Sequence, residues 1–240
     1  MAKKLTHWLA RLTDDGALVR PVKEIRIPLV FSDPSEEVKV RKHYGTFSTM
    51  NSRWNCSRSS NLHQQLKTDP TAFCLYHSDL AELRKGWVVD PLQEAIDFLS
   101  KSEGQVVGDF GCGQAQLADA LRGKHTVHSF DHVAVNETVT VCDCAEHVPL
   151  ADDVLDYAVF SLSLMGTNRY EQLSEAKRVL KATGQVLIWD PTKDRDLNAY
   201  TLEIESRGFK VLEQQENFKW VHTWAISDPS NPGVPKGETT

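Results

Sequence analysis

Residues Val106-Val107-Gly108-Asp109-Phe110-Gly111-Cys112-Gly113-Gln114-Ala115-Gln116 decide the fold. A short apolar run ends in an acid and a Gly-x-Gly pair, and a helix-like stretch follows. This order reads as a strand, a tight turn and a helix start. Gly111 and Gly113 carry no Cβ, so the backbone can turn sharply there and lie close against a ligand. In open α/β sheets ligands bind at the carboxyl ends of the strands, which is where this turn falls.

Working outward, strand and helix patterns alternate. Strands are expected at Val106–Phe110, Thr126–Phe130, Val139–Val141, Leu155–Leu162, Gln185–Trp189, Phe209–Gln214 and Lys219–Ser227. Helices are expected at Gln116–Leu121, Arg169–Leu180 and Leu197–Arg207. Such alternation implies an α/β fold, a mostly parallel sheet covered on both faces. The last two strands leave no room for a helix between them, so they pair antiparallel. Upstream, Asn61–Arg84 reads as helical, with Asp69-Pro70 as a start signal and Phe73, Tyr76 and Leu80 on one face. Asp90-Pro91 starts another helix, with Leu92, Ala95, Ile96 and Leu99 as its apolar stripe. The expected domains are an N-terminal arm with a basic-aromatic segment (1–60), a helical lid (61–103), the ligand-binding α/β domain (104–227) and a disordered tail (228–240). Within the arm, Ile25–Phe31 is expected as a short strand or extended segment, and 36–61 as mostly loop.

Acids recur at the strand ends. Asp109 precedes the glycines, placed to take turn amides or to face a cationic group. Asp131 closes the second strand, eighteen residues beyond Gly113, where a carboxylate can accept both hydroxyls of a ribose. Asp143 closes the third strand, where an acceptor can read an exocyclic adenine amine. Ser161 lies in the fourth. These positions together point to S-adenosyl-L-methionine. A dinucleotide is the alternative, but the third glycine of Gly-x-Gly-x-x-Gly is replaced by Gln116, and the antiparallel C-terminal pair suits class I methyltransferases. The plainer reading, in which the acids only cap strands and turns, stays open.

The 240 residues carry a net charge of −6, and the charge is unevenly spread. Residues 1–90 hold 14 Lys and Arg against 10 Asp and Glu, whereas 91–240 hold 13 against 23. Between Val38 and Thr68 stand six bases (Lys39, Arg41, Lys42, Arg53, Arg58, Lys67) and no acid, with Tyr44, Phe47 and Trp54 interleaved. Bases attract phosphate and aromatic faces stack on unpaired bases, so 38–68 is a candidate RNA-binding segment; a solvated basic face with packed aromatics is the alternative. No apolar run approaches the roughly 18 residues of a spanning helix. The five cysteines are odd in number without disulfide-like spacing, which favours a reducing, intracellular compartment (cytoplasm, or nucleus and nucleolus in a eukaryote). Cys142-x-Cys144 with His147 lacks a second paired half, so no metal is expected.

At the fourth strand Val159-Phe160-Ser161-Leu162-Ser163-Leu164-Met165-Gly166-Thr167-Asn168 resembles the rRNA-processing protein eight (nucleomethylin-like) family. Arg53-Trp54-Asn55, Asp69-Pro70 through Tyr76-His77, Asp90-Pro91-Leu92, Asp109 to Gly113, Val141-Cys142-Asp143 and Val148-Pro149-Leu150 agree with it. The resemblance spans about Arg53 to Gly208. It implies a class I, Rossmann-like methyltransferase fold with seven strands, and methyl transfer from S-adenosyl-L-methionine to N1 of an adenine in large-subunit ribosomal RNA. Carried over position by position, it implies His77, Gly111, Asp131, Asp143, Cys144 and Ser161 as cofactor contacts, beside Asp109 and Gly113 from the glycine turn. Ser161 stands where the family often has Cys, and Cys144 where it often has Met. His77 lies outside the sheet, so its helix would fold over the cofactor as a partial lid.

For chemistry, Met165 to Asn168 are expected to form a base pocket, with Asn168 bonding a base edge and Asp190 taking the adenine amine. The fourth strand lacks the Asp/Asn-Pro-Pro-aromatic motif that holds an exocyclic amine, which disfavours N6 or N4 methylation. A flipped or single-stranded adenine is required because N1 is hidden in a Watson–Crick pair. Two other functions remain: a small-molecule methyltransferase whose pocket is covered by 38–68, and a cofactor-binding assembly or regulatory factor without turnover.

Overall fold

A computed structural model describes residues 11–12, 18–19, 27, 29, 31, 33–192 and 196–234. Its centre is a seven-stranded sheet: β1 (Val106–Phe110), β2 (Thr126–Asp131), β3 (Val139–Val141), β4 (Leu155–Ser161), β5 (Leu180–Pro191), β6 (Phe209–Glu216) and β7 (Trp220–Ser227). The spatial order is β3-β2-β1-β4-β5-β7-β6. The first five strands pair in parallel, and β7 runs antiparallel to both β5 and β6. All seven expected strands are present. A separate two-residue ribbon pairs Arg11–Leu12 with Leu18–Val19.

Parallel strands buried on both faces need apolar residues on both, and the two cores follow. On one side Phe110, Phe130, Phe160 and Ile188 pack under α7 (Glu171–Val179) and α8 (Leu197–Ser206). On the other, Val107, Val159, Leu187 and Trp189 pack against α5 (Pro91–Leu99) and α6 (Gln116–Ala120). The start of α5 is set as its sequence suggests: Asp90 accepts from the Leu92 amide at 3.0 Å and Pro91 occupies the first turn.

The N-terminal region departs from the expected loop. It folds into α1 (Pro34–Tyr44), α2 (Phe47–Asn55), α3 (Ser59–Thr68) and α4 (Thr71–Arg84). Asp33 caps α1 through the Ser35 amide, and Thr46 with Thr49 forms a capping box on α2. These helices share a third core in which Met50, Trp54, Leu66 and Phe73 are buried. Of the expected segment Ile25–Phe31, only Ile27, Leu29 and Phe31 are described, and all three pack on this core.

The aromatic half of the 38–68 reading changes accordingly. Tyr44 and Trp54 are buried, Tyr44 donates to Asp69, and both Phe47 and Trp54 lie against Tyr76. They pack within the cap, with Trp54 also on the cleft wall, and do not form an exposed stacking row along 38–68. At the other end, residues expected to begin a disordered tail are held through Val234, whose backbone amide donates to the Ser206 carbonyl at 2.8 Å, while the Asn231 side-chain Nδ2 donates to the Glu205 carbonyl. The rest of that tail, 235–240, lies outside the described residues. Among the described residues no helix is long and apolar enough to cross a membrane.

Candidate functional site

A cleft opens at the carboxyl ends of β1 to β4 and is roofed by α2, α3 and α4. Its empty space is about 800 Å³, counting the part open to solvent. His77, Gly111, Asp131, Asp143, Cys144 and Ser161 all line it, so four strand ends and one roof helix bring together residues spread over eighty-five positions of sequence.

The glycine turn is the floor. Gly111 and Cys112 donate their amides to the Phe130 carbonyl, lashing the turn to β2. Gly111 has φ +75°, and a Cβ there would lie 2.4 Å from the Ser163 Cβ. Gly113 has φ +57°, and its Cβ would meet the His77 ring at 3.0 Å. Only glycine takes these angles without strain and leaves this room. Ala115 and Leu162 are left-handed too, at φ 57° and 60°, one after the turn and one at the end of β4. Strained backbone thus borders the cleft, as it commonly does at ligand sites.

Asp131 joins floor to wall. Its Oδ2 accepts the Gly113 amide at 2.7 Å and its Oδ1 the His132 amide at 2.6 Å. Burial pushes its pKa up to about 7, against the pull of those two amides. Asp109 is also raised to about 7, first by burial and then by the neighbouring Asp131 charge. No hydrogen bond reaches the Asp109 carboxylate from the described residues, although the residue is only 3% exposed. Asp109 and Gly113 themselves sit behind the lining.

Asp143 holds the most telling atom. Its Oδ1 accepts the Ala145 amide, whereas Oδ2 is buried without a partner among the described residues. The hydroxyl of Ser163, also on the lining, is orphaned in the same way. A buried acceptor left unpaired costs about 1–3 kcal/mol, so a ligand that donates to it recovers that cost. Burial and the Arg84 charge lower His77 to about 4, which keeps it neutral at physiological pH. Desolvation lowers the half-buried His132 to about 4 as well, and its Nδ1 meets Nδ1 of His63 on α3 at 3.1 Å, one ring donating and the other accepting.

The two residues expected to do chemistry lie elsewhere. Asn168 does not line the cleft. Its Oδ1 accepts the Ser59 amide at 2.9 Å, and its Nδ2 donates to Ser59 Oγ and Glu171 Oε2. The amide is consumed in fastening the start of α3 to the β4–α7 loop. Asp190 is 2% exposed and accepts from the Tyr200 hydroxyl at 3.3 Å. It too stands apart from the lining. Met165 and Gly166 of the expected base pocket do border the cleft. The sequence reading missed Ser163, His132 and the wall of Trp54, Phe73 and Tyr76. The helix bearing His77 was expected as a partial lid, but α2 and its Trp54 were read as loop, so the aromatic wall was not assembled from the sequence. Among the described residues no group of three or more His, Cys, Asp or Glu could hold a metal ion.

Residues 33–225 match a family described as "Hypothetical methyltransferase". Ribosomal RNA-processing protein 8 of Caenorhabditis elegans is 39% identical over 187 residues, 77% of this chain and 54% of that protein. The Dictyostelium discoideum protein of the same name is 37% identical over 198 residues, 82% of this chain and 50% of that one. A Schizosaccharomyces pombe protein named 25S rRNA (adenine(645)-N(1))-methyltransferase is 34% identical over 196 residues, 75% of this chain and 61% of its own length. The chain therefore spans roughly half the length of the curated relatives it matches. Among solved structures, a Burkholderia thailandensis 1,6-didemethyltoxoflavin-N1-methyltransferase with bound S-adenosylhomocysteine superposes with a TM-score of 0.53 at 14% identity, covering 83% of this chain and 92% of that one. This likeness bears on the fold.

Proposed function

The chain belongs to the methyltransferase family that includes ribosomal RNA-processing protein 8, and we propose that it binds S-adenosyl-L-methionine in the strand-end cleft and methylates N1 of an adenine in ribosomal RNA. The observation that carries the cofactor is the pairing of a glycine floor with two acids. Asp131 has lone pairs left for the ribose hydroxyls after taking two backbone amides. The orphaned Oδ2 of Asp143 fits an exocyclic adenine amine. Asp109 sits behind the lining, so it acts on the cationic end of the same ligand through its charge rather than by contact. Bound there, the cofactor supplies an electrophilic methyl on a sulfonium.

The residues of the chain then have modest tasks. An adenine N1 lone pair attacks without a base, so positioning and exclusion of water do most of the work. Ser161, Met165 and Gly166 border the place where the acceptor enters. Asn168 acts as a positioning residue, holding the β4–α7 loop against α3 through Ser59. Asp190 steadies the end of β5 through Tyr200. The exposed bases of the cap, among them Lys39, Lys42 and Arg53, attract the phosphate backbone, which leaves the aromatics to the core. An rRNA substrate places the work in the cytoplasm or nucleus.

A second reading has its own support. Trp54, Ser57 and Leu62 of the cap line the cleft, and so close a roof suits a small heterocyclic acceptor. Incubating the protein with cofactor and an in-vitro transcript of large-subunit rRNA, then digesting to nucleosides for mass spectrometry, separates the two. 1-Methyladenosine in the transcript supports the RNA enzyme. No methylated nucleoside, with cofactor turned over on small heterocycles, overturns it.

A further inference from the structure

A second cavity lies at the amino ends of the parallel strands, on the far side of the sheet from the cleft. It encloses about 960 Å³, counting the part open to solvent, and its lining includes Arg207, Lys177, Arg178 and Ser174. Arg207 follows α8 and is only 5% exposed, yet among the described residues neither Nε nor Nη1 has a hydrogen-bond partner. Guanidinium stays charged in proteins, and a buried charge without a counter-ion carries a heavy penalty.

The neighbouring groups do not supply that counter-ion. Arg178 ties up both carboxylates of the lining, Glu175 and Asp152. Lys177 spends its ammonium on neutral acceptors, Ser227 Oγ and the Asp228 carbonyl. The Asp228 carboxylate takes the amide and hydroxyl of Ser230. The lining thus holds three cations (Arg207, Lys177, Arg178) against two carboxylates already bound.

We propose that this cavity is a phosphate-binding site, with Arg207 as its anchor and Lys177 beside it. Nε and Nη1 lie on different edges of the guanidinium, each edge completed by Nη2, and either edge can grip two oxygens of a tetrahedral oxyanion; the Ser174 hydroxyl on the lining already donates to the Val234 carbonyl at 3.4 Å. The phosphate is either free or carried by an RNA backbone that wraps around the sheet edge. The proposal does not depend on the methyltransferase reading, since the cleft and this cavity share no lining residue.

The test compares the full chain with R207M and K177M, two variants so that failure of one to fold leaves the other. Inorganic phosphate is titrated at constant ionic strength against chloride while Tm is followed, and a single-stranded RNA is titrated in phosphate-free buffer. Phosphate is expected to raise the Tm of the wild type by several degrees and to leave the variants unmoved. If the variants also bind the RNA about tenfold more weakly, the phosphate is that of RNA. If RNA affinity is unchanged, it is free phosphate. The proposal is overturned if neither the phosphate response nor RNA affinity distinguishes the wild type from the variants.

Discussion

The His77 ring on α4 rests directly over Gly113, so close that a Cβ on the glycine would come within 3.0 Å of Cε1. Roof and floor of the cleft therefore touch at a point where only glycine fits. Gly113→Ala meets two costs there: a left-handed backbone, worth about 1–2 kcal/mol for a residue with Cβ, and displacement of His77. It is expected to lower unfolding free energy by roughly that amount in urea titrations and to weaken S-adenosylhomocysteine binding. Unchanged binding with unchanged stability would mean the contact is slack.

Asn168→Ala removes a side chain that makes three hydrogen bonds, two to Ser59 of the cap and one to Glu171 at the start of α7. The Ser59 amide is left buried and unpaired, at about 1–3 kcal/mol. Tm is expected to fall and cofactor affinity to stay near that of the wild type, with the loss of turnover following loop order. Full stability with abolished turnover would instead restore Asn168 to the chemistry.

The buried ionisable groups of the cleft oppose one another. Asp109 and Asp131 titrate near 7 in the folded chain and near 4 unfolded. The native state holds their protons more tightly, so each lowers stability as pH rises from about 4 to 7. His77 and His132 are lowered to about 4 from about 6.5. The unfolded state binds their protons more tightly, so each raises stability as pH rises from about 4 to 6.5. The four contributions largely cancel between pH 4 and 6.5. Removing one acid breaks the balance: relative to wild type, Asp109→Asn should show stability that climbs with pH across that window in denaturant titrations. A parallel pH profile for mutant and wild type would contradict the assignment.

The sheet was legible because each strand is a short apolar run closed by a turn or an acid, and the first, Val106–Phe110, and third, Val139–Val141, begin and end as read. The antiparallel hairpin of β6 and β7 followed from the short gap between them, which leaves no room for a helix. Half of the cap was legible, since Asn61–Arg84 reads as helix and holds most of α3 and all of α4, but α1 and α2 were not. Those two are anchored by single pairs four apart, Val40 with Tyr44 and Met50 with Trp54, embedded among Ser, Asn and bases. One pair makes no stripe, and tertiary burial rather than propensity decides such short helices. For the site, acids at strand ends read through, since strand termini converge in any parallel sheet. Asn168 did not: a polar residue beside a cofactor motif looks catalytic until its partner, over a hundred residues away at Ser59, is seen.

Asp131 carries the central claim, because its carboxylate ties the glycine floor to β2 and faces the cleft. The most direct measurement is calorimetric titration of the purified chain with S-adenosyl-L-methionine and S-adenosylhomocysteine, with NAD as control and Asp131→Ala alongside. The account predicts micromolar-range binding of both sulfur ligands, none of NAD, and loss of binding in the variant whose fold is checked by circular dichroism. Failure to bind either sulfur ligand, or a preference for NAD, would contradict it.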